Sequence, residues 1–296
     1  MSWQLITILS YLINAVASVG DKILVSKKIP NPIAYSFYVG ILSIFVVFLM
    51  PFGFSIPPLK ILIIALLSGS SFLFALIFLF RTLVEGEPSR VFTGLGGMVP
   101  VFTLLLSFLI LNQVLTIKEF IIFIILTLSG LLILESKNKL FSYKKEFKKI
   151  VISAFLFSLA LVLAKYVYLN HPFMSGFIWT RLGSFITALL LLISSENRRK
   201  IFKTTKNTQK KHKILLVLNK ILAGSAFLLL NFAISKGNVS LINAMKGTEY
   251  AFIFIIAVIF SFKFPSLLKE NLTKKAVFKK VISIILIGLG LFVLSI

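Results

Sequence analysis

The chain has 296 residues, of which 58% are hydrophobic and 31 are phenylalanine, and its mean hydropathy of +1.02 excludes an ordinary water-soluble fold. It contains no cysteine, which excludes a disulfide framework, thiolate metal sites and thiol chemistry. A formal net charge of +23 would suggest nucleic-acid binding in a soluble protein, but the basic residues are concentrated between apolar segments. We therefore predict a membrane protein that has no nucleic-acid partner.

Ten apolar segments follow one another along the chain, each long enough to cross the roughly 30 Å hydrocarbon core of a bilayer as a helix. The first segment lacks the basic start and the small-residue cleavage site of a signal peptide, so we expect it to remain as a helix. The predicted helices span residues 2–20, 33–50, 60–80, 88–111, 118–134, 150–169, 173–193, 214–235, 239–262 and 277–296. The sequence thus predicts an all-α integral membrane protein with ten transmembrane helices.

Most of the 32 Lys and Arg residues lie in the connections 1/2, 3/4, 5/6, 7/8 and 9/10. Such a one-sided excess is typical of cytoplasmic loops. We therefore expect a multi-pass protein of the plasma or inner membrane, with these five connections in the cytoplasm and both termini outside. The same basic stretches are expected to contact anionic lipids, and residues 194–213 are interpreted as a mobile cytoplasmic loop.

The two halves of the sequence resemble one another. The matching pairs are Gly86 with Gly237, Gly96 with Gly247, Gly69 with Gly224, Phe72 with Phe227 and Gly130 with Gly290. We predict a first five-helix repeat at 1–135, a cytoplasmic linker at 136–149 and a second five-helix repeat at 150–296. Because five is odd, the second copy enters the membrane from the opposite side, which gives the inverted repeat of many secondary transporters.

Polar residues recur on one face of the ninth predicted helix. Asn243, Lys246 and Glu249 are spaced three apart and therefore share that face. Ionisable groups at membrane depth usually face a cavity or a partner. We interpret the three residues as one wall of a substrate pathway. The alternative is an internal Lys246–Glu249 ion pair that only neutralises itself.

Other helices offer further candidates for substrate binding. Arg181 lies too deep in the seventh predicted helix to snorkel easily, so it needs an anion, either Glu249 or a carboxylate or phosphate of a substrate. Asn14 is a candidate in the first helix. Lys165 and Lys220 lie near helix ends, and we expect both to snorkel to an interface.

Small residues in two helices predict close packing rather than chemistry. Gly94, Gly96, Gly97 and Pro100 in the fourth helix, with Gly247 in the ninth, are expected to let helices approach closely and to allow a local kink. The sequence has no HExxH motif, no convincing nucleophile elbow and no paired aspartates within a helix. We therefore expect no enzymatic activity, no cofactor and no metal site.

The stretch MVPVFTLLLSFLILNQVLTIKEFIIFIILTLSGLLIL at 98–134 resembles the helix 4 and 5 signature of the drug/metabolite transporter superfamily, in its ten-helix branch with paired EamA-type repeats. Lys165, Pro172 and Arg181 are similar to its pattern across helices 6 and 7, and Glu249 is similar to an acidic position in its helix 9. The resemblance implies an exporter of amino acids, other metabolites or drugs.

These observations predict a secondary transporter that exports a small metabolite, such as an amino acid or another anionic or zwitterionic solute, by alternating access. The central cavity is expected between the halves, lined by helices 1, 3, 4, 6, 8 and 9. The alternatives are a cationic drug or metabolite exporter and a lipid flippase. The expected partners are a small-molecule substrate and anionic lipids, and a homodimer is left open.

Overall fold

The computed structural model describes residues 2–27, 31–85, 88–134, 144–263 and 274–295, and these ranges are helical with no strand. The elements, in chain order, are α1 Trp3–Lys27, α2 Pro32–Leu42, a 3-10 helix Ser43–Phe52, α3 Leu59–Glu85, α4 Pro88–Leu111, α5 Ile117–Ile133, α6 Lys144–Asn170, α7 Phe173–Leu190, α8 Ser195–Asn207, α9 Lys210–Lys236, α10 Val239–Ala244, α11 Gly247–Lys263 and α12 Lys274–Ser295. All ten predicted segments are therefore helical over most of their length.

Eight spans within the described ranges are long and apolar enough to cross a membrane, judged by length and composition. One combines α2 with the 3-10 helix, and another combines α10 with the first part of α11. The remaining two segments are α5, whose 17 residues are at the short limit for a spanning helix, and α12, which carries lysines in its first half. The protein is thus an all-α chain with the helix lengths and hydrophobicity of a membrane protein.

Local capping groups mark the residues at which several helices begin. Asn31 accepts a hydrogen bond from the backbone N–H of Ala34 at the start of α2. Thr116 and Glu119 form a reciprocal capping box at the start of α5. The Asn238 side chain accepts from two backbone N–H groups in the first turn of α10. These caps fix the entry points of helices between apolar stretches.

The interpretation of residues 194–213 as a mobile loop is wrong. Most of this stretch forms the amphipathic helix α8, which packs on α2. Ile201 is only 1% exposed and belongs to a buried cluster with Ile33, and the Tyr38 and Thr205 hydroxyls are 2.7 Å apart. The high Lys content hid this helix because only Ile201, one of its two apolar residues, is buried toward α2, whereas Phe202 is exposed.

The expected linker at 136–149 is only partly described. Residues 144–149 form the first turns of α6, so they extend that helix instead of joining the halves as an irregular segment. Residues 136–143 lie outside the described residues.

Two groups of helices surround the centre of the molecule. In one group, α1 packs against α9 and α11; in the other, α6 packs against α3 and α4. A close crossing of α3 with α7 fixes the position of α7 against the second group. A Cβ atom added at Gly69 would lie 2.0 Å from the Thr180 carbonyl oxygen, and one added at Gly183 would lie 2.5 Å from the Leu66 carbonyl oxygen. Only glycine permits such an approach of two backbones.

Candidate functional site

A cavity of about 1520 Å³ lies between the two helix groups. Its lining includes residues from every helix that was expected to contribute, and also residues from α2, α7 and α12. All five residues predicted to bind substrate line it: Asn14, Arg181, Asn243, Lys246 and Glu249. The structure therefore brings together side chains that are widely separated in the sequence.

A break in the ninth predicted helix lies beside this cavity. The α-helical hydrogen-bond pattern stops at Ala244, and the backbone N–H of Lys246 donates to the Asn243 carbonyl at 3.0 Å instead of to that of Ile242. The Ile242 carbonyl accepts instead from the Tyr11 hydroxyl at 2.7 Å. Because an unpaired buried carbonyl is costly, this phenol from α1 stabilises the break.

The cause of the break is visible in the packing of Gly247. A Cβ atom at Gly247 would lie 2.9 Å from the Cα atom of Gly130 in α5, so the backbones of the two helices are in direct contact there. Gly247 thus lies at a close contact between two helix backbones. α11 starts at this contact, and its first turn carries Glu249.

Lys246 and Glu249 form an ion pair, as the alternative interpretation of the sequence expected. The Ser18 hydroxyl donates to the other Glu249 oxygen at 3.1 Å, and the Lys246 ammonium group lies 5.2 Å from the centre of the Tyr11 ring. The Glu249 side chain is 4% exposed, whereas that of Lys246 is 34% exposed. The pair lines the cavity, with the ammonium group as its more accessible member.

The two asparagines have different environments. Asn243 is buried, and its side-chain N–H donates to the Val239 carbonyl at 3.0 Å, within its own helix. Asn14 is half-buried, and within the described ranges no hydrogen bond holds its side chain. Asn14 therefore keeps both its donor and its acceptor for a molecule in the cavity.

Arg181 lies beside two aromatic rings. Its guanidinium carbon is 4.6 Å from the centre of the Phe72 ring and 4.3 Å from that of Phe227. The centres of the two rings are 5.0 Å apart, so both rings lie on the same side of the guanidinium group. Its Nε atom is buried without a hydrogen-bond partner. None of the ion pairs in the described ranges includes Arg181, so of the two anions that the sequence left open, Glu249 is not its partner. The guanidinium group therefore lines the cavity outside any described ion pair and can bind an anion there.

The glycine-rich part of α4 packs as predicted. Gly94, Gly96 and Pro100 are buried, and Gly97 is half-buried against Leu131. A Cβ atom at Gly96 would lie 2.9 Å from the Leu134 side chain. Because Pro100 has no N–H, the Gly96 carbonyl has no intrahelical partner, and both residues line the cavity. α4 continues as a helix on both sides of Pro100.

A second ion pair lines the cavity, and no pattern in the sequence indicated it. The Lys220 ammonium group donates to both Asp21 oxygens, at 2.6 and 2.7 Å. The same carboxylate accepts from the Tyr35 hydroxyl at 2.7 Å and from the Asn219 side chain. The expectation that Lys220 snorkels to the interface is therefore wrong. The partners lie on α1, α2 and α9, so no spacing within one helix could have predicted them.

Lys165 also departs from its predicted position. Its side chain is only 4% exposed, and its ammonium group donates to the carbonyls of Ile234, Ser235 and Gly237 at 2.8, 3.2 and 2.9 Å. These carbonyls end α9 and have no partner inside that helix. Lys165 thus caps a helix terminus instead of snorkelling, because a cation is stabilised at the negative end of the helix dipole.

The cavity reaches one end of the bundle at several helices, and its lining also includes Leu49 and Phe177, which lie one turn from the opposite helix ends. Its lining includes Asp21, Leu83, Phe92 and Lys220, which lie near the helix ends at connections 1/2, 3/4 and 7/8. These connections belong to the basic set identified in the sequence. Cations outnumber anions in the lining, where Arg181, Lys220, Lys246 and Lys280 face Asp21 and Glu249.

The opposite end of the bundle is filled by side chains. Ile6, Ile61, Tyr168, Ile234 and Val239 belong to one buried hydrophobic cluster, and none of them lines the cavity. The Lys165 cap lies at this same end. The site therefore reaches one end of the molecule at several helices, while this apolar cluster, of which Val46, Leu161 and Phe177 line the cavity, occupies the other.

Comparisons with known proteins add the fold but no function. No family model and no curated protein matches the chain. Among solved structures 20 chains match, and one of them, described only as a crystal structure of a protein, superposes with a TM-score of 0.68 at 14% identity. The match covers 98% of this chain and 96% of that one. At this identity the likeness establishes a shared fold over almost the whole length.

Within the described ranges, no three or more His, Cys, Asp or Glu side chains are grouped as a metal site would require. The described lining offers charge and hydrogen bonding: the Arg181 guanidinium group, two ion pairs, the Lys280 ammonium group and two asparagines. Such a set can bind an anionic or zwitterionic solute.

Proposed function

We propose that the protein is a secondary transporter that exports a small anionic or zwitterionic solute across the cell membrane by alternating access. The observation that carries this proposal is Arg181, whose donor edge lacks a partner within a cavity between membrane-spanning helices. An unpaired cation at membrane depth is costly, and it is retained where it binds a substrate.

The ten-helix inverted repeat is supported by hydrogen bonds that recur between the halves. The Ser10 hydroxyl in α1 donates to the Ala226 carbonyl in α9 at 2.7 Å, and the Ser153 hydroxyl in α6 donates to the Ala75 carbonyl in α3 at 2.9 Å. Exchanging α1 with α6 and α3 with α9 converts the first bond into the second. The exchange shifts α1 by 143 positions and α3 by 151.

The same shifts relate a second pair of bonds in the reverse direction. The Ser68 hydroxyl in α3 donates to the Ala160 carbonyl in α6 at 2.7 Å, and the Asn219 side chain in α9 donates to the Ala17 carbonyl in α1 at 3.1 Å. The 151-residue shift is also the one that matches Gly96 with Gly247. It supports inverted repeats of the EamA type at 1–135 and 150–296, with α8 outside the membrane spans.

Alternating access is supported by the inequality of the two ends. Two equivalent halves would produce equivalent ends if both adopted the same arrangement. Here a buried apolar cluster occupies much of one end, and the cavity reaches several helix ends at the other. On the assignment of basic connections to the cytoplasm, this arrangement faces inward. The basic helix α8 then lies at the cytoplasmic surface, where anionic lipids attract Lys and Arg.

A ligand screen tests the proposal. Purified full-length protein is heated with amino acids, sugar phosphates, nucleotide sugars or cationic drugs, since a ligand that binds only the folded state raises the melting temperature. Stabilising solutes are then followed in proteoliposomes. We expect an anionic or zwitterionic solute to stabilise and to be transported, and Arg181→Ala to abolish both. Arg198→Ala, on the exposed face of α8, should behave as wild type.

Two results would replace the proposal. If only cationic compounds are moved, and Glu249→Gln stops their movement, the protein is a cation exporter. If none of the solutes is moved but labelled phospholipid crosses the bilayer, it is a flippase. The engagement of Glu249 by Lys246 and Ser18 argues against the first result, because that carboxylate is already compensated.

A further inference from the structure

We propose that the transported solute is amphipathic, with an anionic group attached to an apolar body, and that the cavity holds it between two chemically different walls. This inference rests on the proposed transport function and concerns the part of the solute that Arg181 does not contact. We call the lining residues of α3, α4 and α6 the apolar wall, and those of α1, α9, α10 and α11, with the Met245–Lys246 turn between α10 and α11, the polar wall.

Among the described side chains of the apolar wall, none that faces the cavity is polar. Every described lining residue of α3, α4 and α6 is apolar, and Phe80, Phe92 and Phe157 provide aromatic rings. A polar group placed against this surface would lose its hydrogen bonds to water without replacement. The wall therefore favours an apolar body.

The polar wall carries the candidate binding groups. Asn14 and Ser18 come from α1, and Asn243, Lys246 and Glu249 come from the broken helix opposite. An entirely apolar solute would leave the Asn14 side chain without water and without a hydrogen-bond partner, which is also unfavourable.

The two walls occupy equivalent positions in the two repeats. The shifts of 143 and 151 residues pair polar lining residues with apolar lining residues: Asn14 with Phe157, Asn243 with Phe92, and Lys246 with Leu95. Both members of each pair face the cavity, so the helices are similarly placed and the side chains differ. The asymmetry thus lies in the chemistry of the walls and not in the fold.

The size of the cavity agrees with an extended solute. Its volume of about 1520 Å³ exceeds the roughly 300–1,000 Å³ of typical small-molecule sites. A solute that consisted only of a charged head group would fill a small part of this space. A body that also covers the apolar wall would exclude water from both surfaces.

The test uses a series of simple anions on the full-length protein in nanodiscs. Straight-chain monocarboxylates from butyrate to octanoate are compared with dicarboxylates of the same chain length, and apparent dissociation constants are taken from thermal shifts. We expect monocarboxylate affinity to increase about fourfold with each added methylene group. Dicarboxylates should bind more weakly, because their second charge meets the apolar wall.

Two variants transfer polar character to the apolar wall. Phe157→Asn and Phe92→Asn introduce the asparagine found at the equivalent position of the other repeat. Each should reduce the gain in monocarboxylate affinity per methylene group. Each should also tighten dicarboxylate binding about tenfold, through one new hydrogen bond to the second carboxylate. Phe202→Asn is the matched control, because Phe202 lies on α8 and is 59% exposed. It should leave the series unchanged.

The outcomes separate this inference from the transport proposal. If wild type binds both series equally well and binding still requires Arg181, the inference of an amphipathic solute is wrong. The proposal that the protein is a transporter is then retained. If the gain per methylene group is the same in all variants and in empty nanodiscs, it reflects partition into lipid and the inference is wrong. If wild type binds none of the anions in this series or in the ligand screen, the transport proposal itself fails. If both variants unfold, the comparison of wild-type protein with empty nanodiscs tests the inference. A gain in affinity per methylene group that occurs only with the protein supports an amphipathic solute.

Discussion

Replacing Arg181 with glutamine should stabilise the ligand-free protein while it weakens anion binding. Burial of an unpaired charge costs several kcal/mol, and the two ring contacts at 4.6 and 4.3 Å return about 1–2 kcal/mol each at most. Glutamine keeps part of the contact with the rings and removes the charge. We therefore expect a gain of about 1 kcal/mol, which corresponds to about 2–4 °C in melting temperature.

The effect on binding should have the opposite sign. One hydrogen bond between a guanidinium group and an anion contributes about 1.5–3 kcal/mol, so Arg181→Gln should weaken binding of a stabilising anion at least about tenfold. Differential scanning fluorimetry with and without the anion measures both quantities on one sample.

The control for this prediction is Arg198→Gln, which should change neither quantity. If Arg181→Gln lowers the melting temperature and leaves the affinity unchanged, the residue supports packing and is not a binding group. That result would refute the reasoning from its unpaired Nε atom.

Two further predictions concern packing. Gly69→Ala should destabilise the protein by about 1–3 kcal/mol, because its Cβ would lie 2.0 Å from a backbone oxygen of α7, whereas Gly224→Ala should be neutral or slightly stabilising, since nothing lies within 4 Å; equal melting temperatures would contradict this. Lys165→Met should lower stability by about 2–3 kcal/mol, because three carbonyls lose a charged donor. The exposed Lys236→Met is its control, and a similar loss there would show that the cap has no specific role.

The positions of the helices could be predicted from the sequence because hydrophobicity and length alone define a membrane span. The ten segments emerged with end errors of a few residues, apart from the break at Lys246. That break depends on the Gly130–Gly247 contact and on Tyr11, which come from other helices. A local pattern contains no record of such partners, so the sequence predicted one continuous helix.

The sequence was sufficient to predict which charged residues belong to the site, but not which of them pair with one another. The cost of a buried charge selected Arg181, Lys246 and Glu249, and all three line the cavity. The same rule could not show that Lys220 in α9 forms an ion pair with Asp21 in α1, because a rotation of either helix about its axis would separate the two side chains. Pairing between helices is decided by packing angles, which sequence spacing does not contain.

The Lys165 cap has a consequence for electrical tightness. Helix ends in a membrane protein normally expose carbonyls that hold water, and a file of such waters conducts protons. At the packed end of this bundle the last carbonyls of α9 are occupied by an ammonium group and surrounded by apolar side chains. The positive charge also repels hydronium and metal cations. Those three carbonyls are therefore occupied by a fixed charge and are not free to hold such a file of water.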